Sequence, residues 1–235
     1  MNENYLEGKK VLVFGANSDA GLEIVRRLKN AGTNLATSSN IASKLKKISN
    51  EAKENYKINP ILKTTPWKKR RVEESIQKAV NKFGGLDIVV YNIQISHAED
   101  PESLKTFTYR NITRILVDEL FFITKKTVPH LLKSKGKLVF VYAKTSENRR
   151  IKKNPIFEAG KKWVEGFSLS VQARYGKEGI GVIMIKTGIG NEKMKSNNVE
   201  KCGDLPNKEI KPEEVAEAVQ FSVNQENAVL TKITI

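Results

Sequence analysis

Short apolar runs alternate with amphipathic stretches along this chain, and the two kinds of pattern set the predicted elements. Residues 9–14 (KKVLVF), 86–94 (LDIVVYNIQ), 136–143 (GKLVFVYA) and 180–188 (IGVIMIKTG) are nearly continuous apolar runs, as expected of strands buried on both faces. Residues 33–38 (TNLATS), a short stretch near 60–64 and the ending AVLTKITI (228–235) are weaker strands. Between them, apolar residues recur at helical spacing in 22–31, 41–56, 72–84, about 112–133, 157–175 and 212–223. Gly32 follows the first of these helices, and Gly84 and Gly85 close the third. The alternation predicts one α/β domain over residues 1–235: a doubly wound parallel sheet of about seven strands with helices on both faces. The polar segment 189–211, after the sixth strand, is expected to form a mobile lid.

Composition narrows the picture. No apolar run approaches the roughly 20 residues of a membrane span, and the start MNENYLEGKK lacks a secretory signal's apolar stretch. The expected location is therefore the cytoplasm or an organelle matrix. Cys202 is the only cysteine and His97 and His130 the only histidines, which argues against an internal disulfide and against any metal site. The net charge of +15 attracts anions. Two basic loops concentrate it, 66–71 (PWKKRR) and 144–153 (KTSENRRIKK), and both are expected at the carboxyl ends of strands, where such folds bind ligands. They suit an acidic protein, a phosphorylated ligand or an RNA backbone. No nucleic-acid recognition motif accompanies them, and solvated loops explain them equally.

Candidate chemistry begins where the first strand enters VFGANSDAGLEIV. Glycines at a strand-to-helix turn let the backbone approach a pyrophosphate, with the helix N-terminus supplying N–H donors and a favourable dipole. Gly15 and Gly21 hold the outer positions of that turn, with Asp19 and Ala20 between. Here the chain resembles the short-chain dehydrogenase/reductase family, whose pattern is T-G-x-x-x-G-x-G. Later landmarks arrive in order: GLDIVVYNIQ for the strand ending in N-N-A-G, VPHLL then GKLVFVYA for the helix and strand that deliver a catalytic Ser, FEAGK (157–161) for Y-x-x-x-K, IGVIMIKTG for the strand ending in P-G, and KPEEVAEAV for the last helix. The resemblance implies a Rossmann-type fold and NADP or NAD as cofactor. It places cofactor contacts at Gly15, Asn17, Ser18, Asp19, Ala20, Gly21, Ser39, Asn92, Lys161 and Gly188.

The family moves a hydride between a nicotinamide and a carbonyl or alcohol carbon, with Tyr handling the proton and Lys, Ser and Asn assisting. Of these only Lys161 is retained. Phe157 stands at the Tyr position, Ala143 (or Lys144) at the Ser position and Leu116 at the Asn position. Acid–base chemistry needs a group that holds and releases the proton. Substitutes within reach are Thr145, Ser146 and His97, whereas Tyr142 is expected to point to the opposite sheet face from Ala143. The cofactor signals are mixed. Asp19 places a carboxylate near the pyrophosphate unless it turns outward or caps the helix. Thr37-Ser38-Ser39-Asn40 offers neither the Asp of an NAD site nor the Arg of an NADP site, while Lys44, Lys46 and the run Lys68-Lys69-Arg70-Arg71 tilt towards NADP. Thr65, Ile93, Gln94 and Thr187 also depart from the family pattern.

Three functional readings follow: a catalytically inactive binding or structural subunit, a pseudoenzyme; an NAD(P)(H)-dependent oxidoreductase with relocated or substrate-assisted chemistry; or a basic module for RNA or an acidic partner. Homo-oligomerisation, as dimer or tetramer, is expected through the helices near 112–133 and 157–175, which carry Phe121, Phe122, Trp163 and Phe167.

Overall fold

The computed structural model describes residues 5–39, 59–63, 69–93, 95, 102–143, 155–187, 210–225 and 230–235. Its elements are β1 (Lys10–Phe14), α1 (Asp19–Asn30), β2 (Asn34–Ser39), β3 (Asn59–Lys63), α2 (Lys69–Phe83), β4 (Ile88–Asn92), α3 (Thr106–Thr113), a π-helical segment (Arg114–Glu119), α4 (Leu120–Ser134), β5 (Lys137–Ala143), α5 (Pro155–Tyr175), β6 (Gly181–Thr187), α6 (Pro212–Val223) and β7 (Leu230–Thr234). The strands form one parallel sheet in the order β3-β2-β1-β4-β5-β6-β7. The chain reverses its direction of strand addition between β1 and β4, the crevice where doubly wound folds bind ligands.

Alternation along the strands builds two cores. Val11, Val13, Leu35, Val90, Val139 and Ile183 face α1 and α6, packing with Ile24, Leu28, Val215 and Val219. Leu12, Phe14, Val89, Tyr91, Phe140 and Met184 face the opposite way, onto Ile76 of α2, Ile123 of α4 and Val164 of α5. Because both faces are covered, the central strands read as unbroken apolar runs.

Several boundaries move. The helix expected from about 112 starts at Thr106, and α3, the π-helical segment and α4 follow one another without a break. Packing of α3 against α5 carries its polar, β-branched start (TFTYRNIT) into the helix. The third helix starts at Lys69 rather than 72, and the fifth at Pro155, a residue suited to a helix's first turn. Pro129 lies inside α4 without ending it. The predicted helix 41–56, residues 189–209 of the expected lid, 66–68 and all of 144–153 lie outside the described residues, as do Thr65, Gln94, His97, Thr145, Ser146, Gly188 and Cys202, while Lys69, Arg70 and Arg71, expected in a loop, begin α2. Among the described residues no helix is long and apolar enough to cross a membrane, and no cluster of His, Cys, Asp and Glu could hold a metal.

Away from the crevice, Lys137 begins β5 buried, with its ammonium donating to the carbonyls of Val223 (2.7 Å) and Gln225 (2.5 Å). A cation fixed at the carboxyl end of α6 satisfies orphan carbonyls and complements the helix dipole.

Candidate functional site

The turn from β1 into α1 is fixed by backbone sterics. Gly15 has φ +78°, and a Cβ there would stand 2.1 Å from the carbonyl oxygen of Asn92. A Cβ on Gly21 would stand 2.2 Å from the carbonyl oxygen of Gly15. Only glycine fits either position. Ser18 is the N-cap, its Oγ accepting from the Gly21 N–H at 3.0 Å. Asn92, at the end of β4, donates to that same Oγ (3.0 Å) and to the Gly15 carbonyl (3.1 Å). The side chain of β4 thus locks the turn of β1 across the switch point.

This geometry resolves the direction of Asp19. It is the first residue of α1 and exposed, while Ser18 does the capping, so its carboxylate faces solvent and adds the favourable charge of a first helical turn. Asn17, half-buried, and Ala20 flank it. Ser39 ends β2 and is described in its backbone alone. Ile93 is buried in the core and donates its N–H to the Val141 carbonyl (2.8 Å), so its bulk is turned inward.

The second corner lies at the start of α5. Lys161 is 3% exposed. Its ammonium lies 2.8 Å from Glu158 Oε1 and 4.2 Å from the centre of the Phe157 ring. Glu158 Oε2 is buried without a hydrogen-bond partner. One residue before Lys161, Gly160 meets Leu116 so closely that a Cβ would fall 2.3 Å from Leu116 Cδ1. Phe157 lies against Lys161, and Leu116 packs on Gly160 beside them. Ala143 ends β5 with its backbone in register with Thr187. Tyr142 is buried on the α5 side with its hydroxyl 4.0 Å from Met184 Sδ, and burial, then the Glu165 charge, pushes that hydroxyl's pKa up, so it holds its proton more tightly than a free phenol.

Two features of this region escaped the sequence reading. Glu158 is one: its i, i+3 spacing from Lys161 was the available signal. The other is a buried contact behind the long helix. Tyr91 Oη lies 2.9 Å from the Ile115 carbonyl, inside the π-helical turn, and 3.0 Å from Glu119 Oε2. Burial raises Glu119 to about 7, against the lowering effects of the Tyr91 hydrogen bond and the Arg114 charge; Asp118 adds a smaller upward push. Burial, then Glu119's charge, also raises Tyr91 well above the usual phenol range. A wide turn of this kind in a helix often marks a functional region.

The residues fit a dinucleotide unevenly. The glycine turn suits a pyrophosphate, having room for no side chain at its two close approaches and a helix N-terminus behind it. The corner at Lys161 suits a nicotinamide ribose less well, because Phe157 and Leu116 add carbon around an ammonium that already holds Glu158.

The comparisons with known proteins agree with this fold. The family model described as short chain dehydrogenase matches residues 9–203. An uncharacterized oxidoreductase of Staphylococcus aureus (strain MRSA252) is 25% identical over 233 residues, covering 98% of this chain and 97% of its own. A dehydrogenase/reductase from Sinorhizobium meliloti superposes with a TM-score of 0.85 at 18% identity, covering 99% of this chain and 96% of its own. A short-chain dehydrogenase from Burkholderia cenocepacia, solved in complex with NADP, has a TM-score of 0.85 at 20% identity, covering 98% of this chain and 97% of its own.

Proposed function

The chain belongs to the short-chain dehydrogenase family, and from that premise we propose that it is a non-catalytic member: a nucleotide-binding or structural subunit that has lost the family's proton-transfer chemistry. One observation carries the reading. The position one helical turn before Lys161 is a phenyl ring, Phe157, packed over the ammonium it should have served with a hydroxyl. A nicotinamide cofactor, where one binds, supplies the hydride; the accompanying proton must come from an ionisable group. Leu116 is buried packing, Phe157 carries no hydroxyl, and Tyr142 is buried against Met184. Among the described residues of this corner the ionisable groups are Lys161 and Glu158, and they pair with each other.

The glycine turn supports retained affinity for the phosphates of NADP or NAD, with Gly15, Gly21, Ser18 and Asn92 setting the backbone that would meet them. For partners, the exposed rings of Phe121 on α4 and Trp163 on α5, the latter stacked on Phe167, support self-association through these helices.

The test is a turnover assay with NADPH and NADH against a panel of ketones and alcohols, run beside a fluorescence titration of both cofactors. No turnover above the buffer rate is expected. Cofactor-dependent turnover that Lys161→Ala abolishes would overturn the proposal.

A further inference from the structure

Three lysines meet one carboxylate on the α5 side of the sheet. Alternation along β6 sends Met184 into the core under α5, and Lys186, two residues on, follows it to the same face. Lys232 of β7 is in register with Met184 and joins them there. Glu165, one helical turn beyond Lys161 on α5, accepts from both lysines through a single oxygen. Its Oε1 lies 2.7 Å from Lys186 Nζ and 2.9 Å from Lys232 Nζ. Lys162 Nζ lies 3.4 Å from Oε2. Tyr142 of β5, in register with Lys186, adds no charge, since burial and then the Glu165 carboxylate hold its phenol proton in place.

Such crowding of like charge is relieved when one lysine releases its proton. The lysine with the least water around it is Lys186, its side chain 12% exposed against 49% for Lys232 and 67% for Lys162. Burial is the first influence on Lys186 and lowers its pKa. The Glu165 carboxylate pulls the other way, and the Lys232 ammonium helps to keep the net shift downward. Lys232 itself is raised, first by its hydrogen bond with Glu165. A partly desolvated amine beside a second cation is the setting that turns a lysine into a nucleophile.

We propose that Lys186 is a nucleophilic lysine that captures a small carbonyl compound bearing a carboxylate as a Schiff base, with Lys232 and Lys162 drawing in the carboxylate. The free amine of Lys186 adds to the carbonyl carbon and a C–N bond forms. The resulting carbinolamine then loses water, which carries away the carbonyl oxygen and both amine hydrogens, and a C=N bond remains with no change of oxidation state. With Lys186 neutral, Lys162, Lys232 and Glu165 leave one net positive charge for the carboxylate to balance. Lys186 stands near the carboxyl end of β6, the end of the sheet where this class of fold binds ligands. The site is independent of nucleotide binding at the glycine turn.

Two experiments on the full chain test this. Trace acetylation with acetic anhydride from about pH 6 to about pH 10, read at every lysine by peptide mass spectrometry, gives each a midpoint; access scales the plateau and leaves the midpoint alone. Lys186 should become reactive at lower pH than the median of the other lysines. Lys232→Gln removes the neighbouring charge and should move that midpoint up, Lys232→Arg should keep it, and Glu165→Gln should move it down. Glyoxylate with cyanoborohydride, which reduces the imine to a stable amine, should then mark Lys186 at least about threefold faster than the median lysine, and faster than uncharged glycolaldehyde marks it. A Lys186 midpoint at or above the median, a midpoint that Lys232→Gln does not raise, or no acetylation of Lys186 at any pH would overturn the proposal. So would glyoxylate marking Lys186 no faster than the median lysine. Equal marking by glyoxylate and glycolaldehyde would overturn the part assigned to Lys162 and Lys232.

Discussion

Replacing Glu119 by Gln should stabilise the protein, increasingly as pH rises from about 4.5 to about 7. Tyr91 has one proton and two neighbours that can accept it, the Ile115 carbonyl at 2.9 Å and Glu119 Oε2 at 3.0 Å. A carbonyl can only accept, so the arrangement is complete when Glu119 is protonated: its O–H donates to Tyr91 and Tyr91 donates to Ile115. Ionisation leaves two acceptors contesting one proton around a buried charge. Loss of hydration around that buried charge raises the Glu119 pKa from 4.5 to about 7, outweighing the Tyr91 hydrogen bond and the Arg114 charge, which lower it. The native state then holds a proton that the unfolded chain has already released. The stabilisation this gives is complete below about pH 4.5, declines as pH rises, and is gone above about 7. At ~1.4 kcal/mol per tenfold, the change amounts to about 3 kcal/mol. A Gln side chain offers a permanent N–H to Tyr91 and carries no charge.

The assay is urea unfolding of native protein and Glu119→Gln at pH 5 and pH 8. The variant should exceed the native protein by about 3 kcal/mol at pH 8, with the gap falling to about 1 kcal/mol at pH 5. The comparison cancels the rest of the titration. His130, lowered chiefly by burial and then by Lys133, adds stability as pH rises, and does so equally in both proteins. Glu165, held at about 2 by hydrogen bonds from Lys186 and Lys232, titrates below the window. A variant that is less stable than the native protein at pH 8, or a gap that does not change between the two pH values, would refute the one-proton account.

Gly160→Ala drives a methyl into Leu116 and should cost roughly 1–3 kcal/mol in urea unfolding, with Leu116→Ala recovering about 1 kcal/mol or more of that in a double-mutant cycle. Gly15→Ala combines a left-handed backbone with a clash on Asn92, and should weaken ADP binding at least about tenfold by calorimetry while lowering stability by ~1–3 kcal/mol. Lys137→Met removes the cation from the carboxyl end of α6 and should cost about 2 kcal/mol, with faster hydrogen exchange confined to the last turn of that helix. Phe157→Tyr alone should yield no turnover with NADPH or NADH in the ketone panel, since Leu116 supplies no polar relay and Lys161 stays with Glu158.

Much of the fold was legible because a two-sided parallel sheet writes itself as apolar runs. In β1, Val11 and Val13 go to one core and Leu12 and Phe14 to the other, so no polar residue interrupts the strand. The start of α3 was not legible, since Thr106 and Thr108 favour other conformations and contact with α5 overrides them. The π-helical turn was hidden for a related reason: its partner Tyr91 lies 24 residues from Ile115 on another element, and no local spacing announces such a contact. At the glycine turn the sequence S-D left open which residue caps α1, and the backbone at Ser18 decides it. The exposed rings divide as burial dictates: Phe122 and Phe167 pack against the core, while Phe121 and Trp163 do not.

The two ends of the site depend on different things. The glycine turn is a property of the backbone, met by two residues without side chains and by Asn92 and Ser18 holding the chain in place; several substitutions around it, Asp19 among them, leave that backbone intact. The family's chemistry at the Lys161 corner depends on particular oxygen and nitrogen atoms, and this chain has carbon side chains at three of the expected positions, Phe157, Ala143 and Leu116. In that setting Lys161 needs no ligand to account for its presence. Buried and paired with Glu158, it is part of the packing of α5, and its removal would strand a carboxylate. On the non-catalytic reading proposed above, Lys161 is held by the fold's own electrostatics, a different reason from the one its position in the motif suggests.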